Sequence, residues 1–253
     1  TSYPNYSPGL EGVIGGITTI SEIVSETSTL IYRGINVHDL ASQGSFEETA
    51  HLLLKGHLPN AAELEAFKKT LAAERQVPSA VYEALKQLPK DCHPMDIAKV
   101  GFAVYAPFDP DYACPATDQE ANLRKAIRIL AKASTIVGNG HRIREGLEPL
   151  EPKPNHTIAQ NFLYLMSGNE PDAETAHVLD SSLTLYAEHG YNASTFACRV
   201  TVATLSDIYS GIVTGIGTLK GPLHGGANEE AMKMILEIGE PDTVDDYMAN
   251  AFA

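Results

Sequence analysis

Signals that start and end helices recur along most of this 253-residue chain, and they constrain its fold more than any other feature. Ser45 followed by Glu48 is a capping box, and the helix that it opens is expected to end near Gly56. Another helix is expected after the His-Pro-Met tripeptide at 93–95. Helices are further predicted over 61–75, 78–88, 118–137, 157–167, 172–189, 193–219 and 226–238. The chain is therefore predicted to be mainly α-helical.

The N-terminal segment departs from this helical pattern. Residues 9–35 combine several glycines with two runs rich in β-branched residues, at 17–20 and 29–32. Such runs, bounded by glycines, are typical of short strands. The predicted fold class is therefore all-α with a small N-terminal β-ribbon.

Charge and hydropathy exclude two classes of partner. The chain carries 32 acidic and 18 basic residues, for a formal net charge of −14. Nucleic acid binding relies on lysine and arginine to neutralise phosphates, and no basic run is present, so we expect no nucleic acid partner. No apolar run approaches the roughly 18–20 residues that a membrane-spanning helix needs, so we expect no membrane partner either.

The cysteines argue against both a disulfide framework and a metal site. Cys92, Cys114 and Cys198 are odd in number and form no CxxC pair, and no cysteine–histidine spacing suits zinc. Reduced thiols are typical of the cytosol or an equivalent compartment. We therefore expect no metal and a cytoplasmic location, or the mitochondrial matrix if a presequence has been removed.

The helix predicted over 193–219 is rich in small residues. A glycine inside a helix costs about 0.5–1 kcal/mol relative to alanine, so Gly211 and Gly215 are expected to permit close packing against another backbone. One interpretation is a central core helix, and the other is a helix at a subunit interface. The two are compatible, and the pattern does not separate them.

His224 lies in a glycine-rich elbow between two predicted helices. The glycines leave space beside the imidazole, and the positive end of a helix dipole favours a neutral ring. A neutral imidazole can donate a hydrogen bond to a carbonyl that is becoming an enolate. The alternative is a loop histidine whose ring is satisfied by backbone groups.

His189 and Asn192 lie at the junction of two further predicted helices. Asn192 can cap the second helix, which would explain this residue without any ligand. The alternative is a polar cluster that binds carboxylate or keto oxygens. The remaining seven histidines are expected to be surface or core residues.

Six short motifs occur in the order in which citrate synthases carry them. They are GLEGV at 9–13, YRG at 32–34, HPMD at 93–96, HGYNASTF at 189–196, LSDIYS at 205–210 and GPLHGGANE at 221–229. Together they resemble the citrate synthase family. The resemblance implies a large helical domain, a smaller helical domain that closes over a cleft, and a homodimer or higher homo-oligomer. We assign the large domain to 1–222 and the beginning of the small domain to 223–253.

The resemblance also implies a reaction and roles for three residues. His224 would polarise the thioester carbonyl of acetyl-CoA, and His189 and Asn192 would lie in the oxaloacetate site. The implied reaction is condensation of acetyl-CoA with oxaloacetate, followed by hydrolysis of the citryl thioester to citrate and CoA. Neither a metal nor a redox cofactor is implied. A 2-methylcitrate synthase that uses propionyl-CoA is the alternative.

Two features depart from the family pattern. Family members carry, further along, a Gly-x-Gly-His segment, an Asp-Pro-Arg segment and the aspartate that acts as base, and nothing matching these occurs between Glu230 and Ala253. We therefore expect that the remainder of both domains is missing from this sequence. A truncated, catalytically inactive dimeric scaffold is the other hypothesis. The second departure is Gly190, where many family members carry an acidic residue.

Overall fold

Twelve α-helices and one small sheet form the part of the chain that the computed structural model describes, residues 12–252. The helices are α1 (Val37–Gln43), α2 (Phe46–Lys55), α3 (Ala61–Ala73), α4 (Ser79–Leu85), α5 (Pro94–Tyr105), α6 (Gln119–Arg144), α7 (Ile158–Ser167), α8 (Ala173–Leu185), α9 (Ala193–Ala203), α10 (Ile208–Leu219), α11 (Gly226–Ile238) and α12 (Val244–Ala251). This confirms the mainly helical prediction. Residues 9–11 of the first motif lie outside the described residues.

The sheet has three antiparallel strands in the order β1 (Ser21–Val24), β2 (Thr29–Tyr32) and β3 (Ile35–Asn36). Arg33 and Gly34 connect β2 to β3 with φ angles of 49° and 86°, which suits the tight turn of a hairpin. The predicted ribbon is thus confirmed, but its first strand is 21–24 and not 17–20. The register explains the shift, because Ser21 pairs with Tyr32, the last residue of β2, and beyond this pair only the Ile20 carbonyl accepts a hydrogen bond, from the Arg33 N–H at 2.8 Å.

Local capping fixes the helix boundaries that were predicted correctly. Ser45 Oγ accepts a hydrogen bond from the Glu48 N–H, and the Glu48 carboxylate accepts one from the Ser45 N–H, which completes the capping box of α2. Gly56 ends that helix in the left-handed conformation, with φ of 91°. Two predictions were wrong: α1 was missed, and α6 continues to Arg144 and does not stop near 137.

The single helix predicted over 193–219 is two helices, α9 and α10. Leu205 adopts a φ of 64° between them, and Asp207 caps α10 by accepting a hydrogen bond from the Ser210 N–H at 3.0 Å. A Cβ at Gly211 would lie 2.8 Å from Val202 Cγ1. The small residues therefore permit close packing of α10 on α9 within one chain.

The core is arranged around the long helix α6. Its Ile136 lies in a cluster with residues of α4, α5 and α10, and its Ala131 lies in a second cluster with residues of α2 and α3. A third cluster joins Tyr32 of β2 to α1 and α2. This last cluster attaches the ribbon to the helices beside the segment that follows α8. Within residues 12–252, no helix combines the length and apolar character needed to cross a bilayer.

Candidate active site

The elbow that carries His224 connects α10 to α11. The N–H groups of His224 and Gly225 both donate to the Gly221 carbonyl, at 2.9 and 3.1 Å. A Cβ at Gly225 would collide with the carbonyl oxygen of Leu219, so this position requires glycine. The predicted elbow between two helices is therefore confirmed. The turn directs the His224 ring toward the start of α9.

The His224 ring is held by Ser194 of α9. Its Nε2 lies 3.0 Å from Ser194 Oγ and 3.3 Å from the Ser194 backbone nitrogen. Because a backbone N–H can only donate, we assign Nε2 as the acceptor of the Ser194 N–H, which puts the proton of a neutral ring on Nδ1. The single hydroxyl proton of Ser194 is donated to Asn192 Oδ1 and not to the ring. One ring nitrogen is thus satisfied by a backbone group, as the structural alternative for His224 required. Nδ1 contacts no hydrogen-bond acceptor among the groups that the structure describes, and it is available as a donor for a ligand.

Asn192 is the N-cap of α9. Its Oδ1 accepts hydrogen bonds from the Thr195 N–H at 2.8 Å and from Ser194 Oγ at 2.6 Å. The capping interpretation of Asn192 is therefore confirmed. The amide group of Asn192 contacts no hydrogen-bond acceptor within the described residues, so the capping and ligand-binding roles can coexist.

His189 lies in the turn after α8, because this helix ends at Leu185 and not near 189 as predicted. The turn needs a glycine next to the histidine: Gly190 has φ of 95°, and its N–H donates to Glu188 Oε1 at 2.5 Å. An acidic side chain at position 190 would be strained in this conformation. The side chain of His189 is exposed.

The N-terminal ribbon holds the turn that carries His189. The buried Tyr32 hydroxyl lies 3.1 Å from the carbonyl oxygens of Thr184 and Leu185, and it accepts a hydrogen bond from the Glu188 N–H at 3.2 Å. Ser21 Oγ donates to Glu188 Oε1 at 3.1 Å. Reasoning from the sequence missed these contacts, since nothing in the local pattern links residue 32 to residues 184–188.

One cavity of about 490 Å³ brings the predicted site residues together. His189, Asn192 and His224 all line it, with Ser194 and Thr195 between them. Sequence reasoning did not predict Ser194 as a site residue, and its position two residues after Asn192 is the signal that could have placed it there. The three predicted residues, separated by up to 35 positions in the sequence, therefore share one concave surface.

The described residues supply hydrogen-bond donors to this cavity but few charges. Glu188 is its only lining carboxylate within residues 12–252, and two hydrogen bonds already engage its Oε1. No lysine or arginine of this part of the chain lines the cavity. Nor does the described part contain a group of three or more histidine, cysteine or carboxylate side chains arranged to hold a metal ion. The arrangement can thus polarise a carbonyl, whereas a free base and counter-charges for a dianion must come from other residues.

Comparison with known proteins decides the family. The family model described as citrate synthase, C-terminal domain, matches residues 9–253. The chain belongs to the citrate synthase family. It is 43% identical over 245 residues to a 2-methylcitrate synthase of Mycobacterium tuberculosis, covering 97% of this chain and 61% of the relative. It is 45% identical over 241 residues to citrate synthase 2 of Bacillus subtilis, covering 95% and 64% respectively.

A solved citrate synthase shares the fold. The enzyme of Thermoplasma acidophilum, in a ternary complex with carboxymethyl coenzyme A and oxaloacetate, superimposes with a TM-score of 0.87 at 32% identity, covering 97% of this chain and 64% of that one. This chain thus spans a little over three fifths of the length of the proteins it matches.

The motifs shared with citrate synthases fall mostly at turns and helix starts. The motif at 205–210 forms the turn between α9 and α10 and includes the cap Asp207. The motif at 93–96 starts α5, where Asp96 accepts a hydrogen bond from Lys220 at 2.7 Å and so ties α5 to the elbow. Most motif residues therefore position the site, and few line it.

Proposed function

We propose that the chain forms part of a citrate synthase-type enzyme, which condenses acetyl-CoA with oxaloacetate and hydrolyses the citryl thioester to citrate and CoA. The observation that carries this proposal is the single cavity lined by His189, Asn192 and His224. Membership of the citrate synthase family and the similarity to a relative named citrate synthase 2 support it. The proposed partners are therefore oxaloacetate and an acyl-CoA, and the reaction needs no metal or redox cofactor.

In the proposed reaction His224 acts through Nδ1–H. A carboxylate base removes a proton from the acetyl methyl group while this N–H donates to the thioester oxygen and stabilises the enol. The enol carbon then attacks the ketone of oxaloacetate, and water cleaves the resulting thioester. His189 and the Asn192 amide are proposed to bind oxaloacetate oxygens. Because Glu188 is engaged by Ser21 and Gly190, we place the base outside the described cavity wall.

The burial of side chains supports a proposed division into two domains. We propose that 1–222 belong to the large domain and 223–253 begin the small one. The described residues of α11 and α12 include no buried side chain, whereas α10 buries Tyr209, Gly211 and Gly215. Helices that bury nothing against the body of the chain are the expected start of a separate unit.

A second candidate is a 2-methylcitrate synthase that uses propionyl-CoA. A relative named 2-methylcitrate synthase is 43% identical to this chain, and a relative named citrate synthase 2 is 45% identical. Sequence identity therefore supports the two candidate functions almost equally. One added methylene is worth only about 1–3 kcal/mol in a pocket, so a small change in the acyl site decides between them.

We propose a cytoplasmic location on the evidence of three free cysteines, which suit a reducing compartment.

Thiol release from each acyl-CoA in the presence of oxaloacetate tests the proposal, with protein whose intact mass has been measured. We expect the polypeptide from the native source to exceed 27.2 kDa and to release CoA from at least one substrate. The faster substrate identifies the branch. A native polypeptide of 27.2 kDa that is inert toward both substrates would instead favour the inactive scaffold.

The role of His224 is tested in the same assay. We expect His224→Ala to lower kcat by about 10²–10³-fold, the usual loss of one donor to a developing oxyanion, with little change in acyl-CoA binding. His224→Asn should recover part of the rate if its amide donates. His189→Ala is the comparison, and it should weaken oxaloacetate binding as well. Turnover of His224→Ala within a few-fold of the parent would make the elbow histidine structural.

A further inference from the structure

A second cavity, of about 620 Å³, lies between α3, the start of α2 and the segment before α7. Its walls include Glu47, Lys68, Lys69, Arg75 and His156. It shares no lining residue with the candidate active site. Nothing in the proposed reaction uses these side chains, and we name this site the Arg75 cavity.

Two opposite charges are buried in the walls of the Arg75 cavity without forming an ion pair. Glu47 is 1% exposed and Arg75 is 2% exposed. Glu47 Oε1 accepts from the Ile158 N–H at 2.8 Å, but Oε2 has no partner among the described residues. Arg75 donates to the carbonyl oxygens of Lys153 and His156, yet its Nε is also without a partner in this part of the chain. Buried charges with unsatisfied atoms are costly, so they call for a ligand or ordered water.

His156 adds a further acceptor. Its Nε2 lies 2.9 Å from Glu170 Oε2, so we assign the ring proton to Nε2. Burial, together with the positive charges of Lys153 and Arg75, lowers the pKa of His156 and keeps the ring neutral. Nδ1 is then an acceptor, and it is buried without a partner among residues 12–252.

The unsatisfied atoms concentrate in this one cavity. Of the seven buried side-chain nitrogen and oxygen atoms that lack a partner within the described residues, three belong to Glu47, Arg75 and His156. Two of these are acceptors and one is a donor. Toward the surface lie Lys68 and Lys69. Together with Arg75 they give the walls three cations, against the two carboxylates of Glu47 and Glu65, in a chain whose net charge is −14.

We propose that the Arg75 cavity binds a zwitterionic α-amino acid, with its ammonium group toward Glu47 and His156 and its carboxylate toward Arg75 and Lys68. An ammonium has three N–H donors and a positive charge, which matches two unsatisfied acceptors, one of them a carboxylate. A hydroxy acid offers a single donor in the same place, and a simple anion offers none.

Titration of isotope-labelled protein with a panel of the common α-amino acids, followed by amide NMR shifts, tests the proposal. At least one amino acid should saturate at millimolar concentration or below and shift the amides of 68–75 and 155–157, while those of 189–195 stay unchanged. The hydroxy acid with the same carbon skeleton, such as L-lactate for L-alanine, should bind about tenfold more weakly, because the charged hydrogen bonds are lost. No CoA or oxaloacetate is present, so the result is independent of the proposed reaction.

Variants identify the groups involved. Glu47→Gln can still accept from the Ile158 N–H but removes the charge, and it should weaken binding about tenfold or more. Should this variant fail to fold, the double variant Lys68→Met/Lys69→Met on the outer wall must weaken binding instead. Lys86 lines a different cavity, so Lys86→Met is the control and must leave binding unchanged. The proposal is overturned if no amino acid of the panel shifts these amides at 10 mM, as ordered water would then satisfy the buried groups. It is equally overturned if the hydroxy acid binds as tightly, or if none of the wall variants changes the affinity.

Discussion

Tyr32 illustrates how a single distant side chain can set the geometry of the candidate active site. Its hydroxyl is buried against the backbone of 184–188, immediately before His189. Tyr32 belongs to β2, which is antiparallel to the strand whose Ser21 hydroxyl reaches Glu188. The two contacts fix the turn from one side, and the left-handed Gly190 shapes it from the other.

Removing the Tyr32 hydroxyl should therefore affect both stability and substrate binding. We expect Tyr32→Phe to lower the free energy of unfolding by about 1–3 kcal/mol, because the Glu188 N–H is left buried without a partner. In a catalytically complete protein it should also raise the KM for oxaloacetate more than it lowers kcat. Urea unfolding and steady-state kinetics measure the two effects. Tyr112→Phe, at an exposed position, is the control, and equal effects from both variants would contradict the assigned role.

At the scale of elements, α9 and α10 form an antiparallel pair that brings Ser194 to His224. The pair depends on glycine at its closest approach. A Cβ at Gly215 would collide with Cys198 Sγ, and the Cys198 thiol already lies 3.0 Å from the carbonyl oxygen of Gly211. The geometry of the site thus depends on a packing contact about one helical turn from Ser194.

Gly215→Ala should destabilise the chain by about 1–3 kcal/mol, the usual cost of overpacking. Cys198→Ala removes the sulfur that the new methyl group would meet. The double variant Gly215→Ala/Cys198→Ala should therefore be more stable than the sum of the two single changes predicts. Urea unfolding of the four proteins measures this coupling. Strictly additive changes would show that the glycine is required for another reason.

Helix boundaries were predictable from sequence where they depend on local chemistry. The capping boxes at Ser45 and Asn60 and the start of α11 at Gly226 follow from residues within a few positions of each boundary. The break between α9 and α10 was not predictable from the sequence. Leu205 turns the chain there with a positive φ, which is a conformation that leucine rarely adopts. In the candidate site, motifs predicted the three residues, whereas the contact of Ser194 with His224 depends on how α9 packs against α10 and could not be predicted from local sequence.

At the scale of the whole molecule, one buried charge network joins the loop before α6 to α6 and α10. Arg128 donates to both oxygens of Asp109 at 2.7 and 2.8 Å, and the Tyr209 hydroxyl donates to the same carboxylate at 2.5 Å. Burial alone would raise the pKa of Asp109, but these hydrogen bonds outweigh it and hold the pKa below its usual value.

The network predicts a loss of stability in acid. A carboxyl group whose pKa is lowered by folding stabilises the protein above its unfolded pKa, here 3.8, and this contribution is lost as the pH falls through the lower folded value. Asp109→Asn should cost about 1–3 kcal/mol at pH 7, because it removes one of the two carboxylates that pair with the buried Arg128 and leaves Asp111 as the other. The difference between parent and variant should shrink below pH 3.8, as measured by urea unfolding across pH. A constant difference would show that the carboxylate does not titrate with folding.

The family resemblance implies a homodimer, and we propose that it forms through a surface other than the glycines of α10, since these pack within one chain. α9 offers such a surface: Phe196, Val200 and Leu205 are 38%, 56% and 67% exposed. Apolar side chains grouped in this way on a helix and the turn that follows it are typical of interfaces. Because Asn192 caps α9 and Ser194 lies in its first turn, a partner subunit that packs on α9 would stabilise the position of the candidate site.

Val200→Asp should therefore separate the subunits, because burying an unpaired carboxylate in an apolar contact is strongly unfavourable. Light scattering should show the parent protein at twice its subunit mass and the variant at the mass of one subunit. Val178→Asp on α8 makes the same chemical change at a comparably exposed valine and should leave the dimer intact. If Val200→Asp remains dimeric while its fold is preserved, α9 is not the interface. If both valine variants dissociate, the interface extends over α8 as well, and contacts on both helices then stabilise the position of the site.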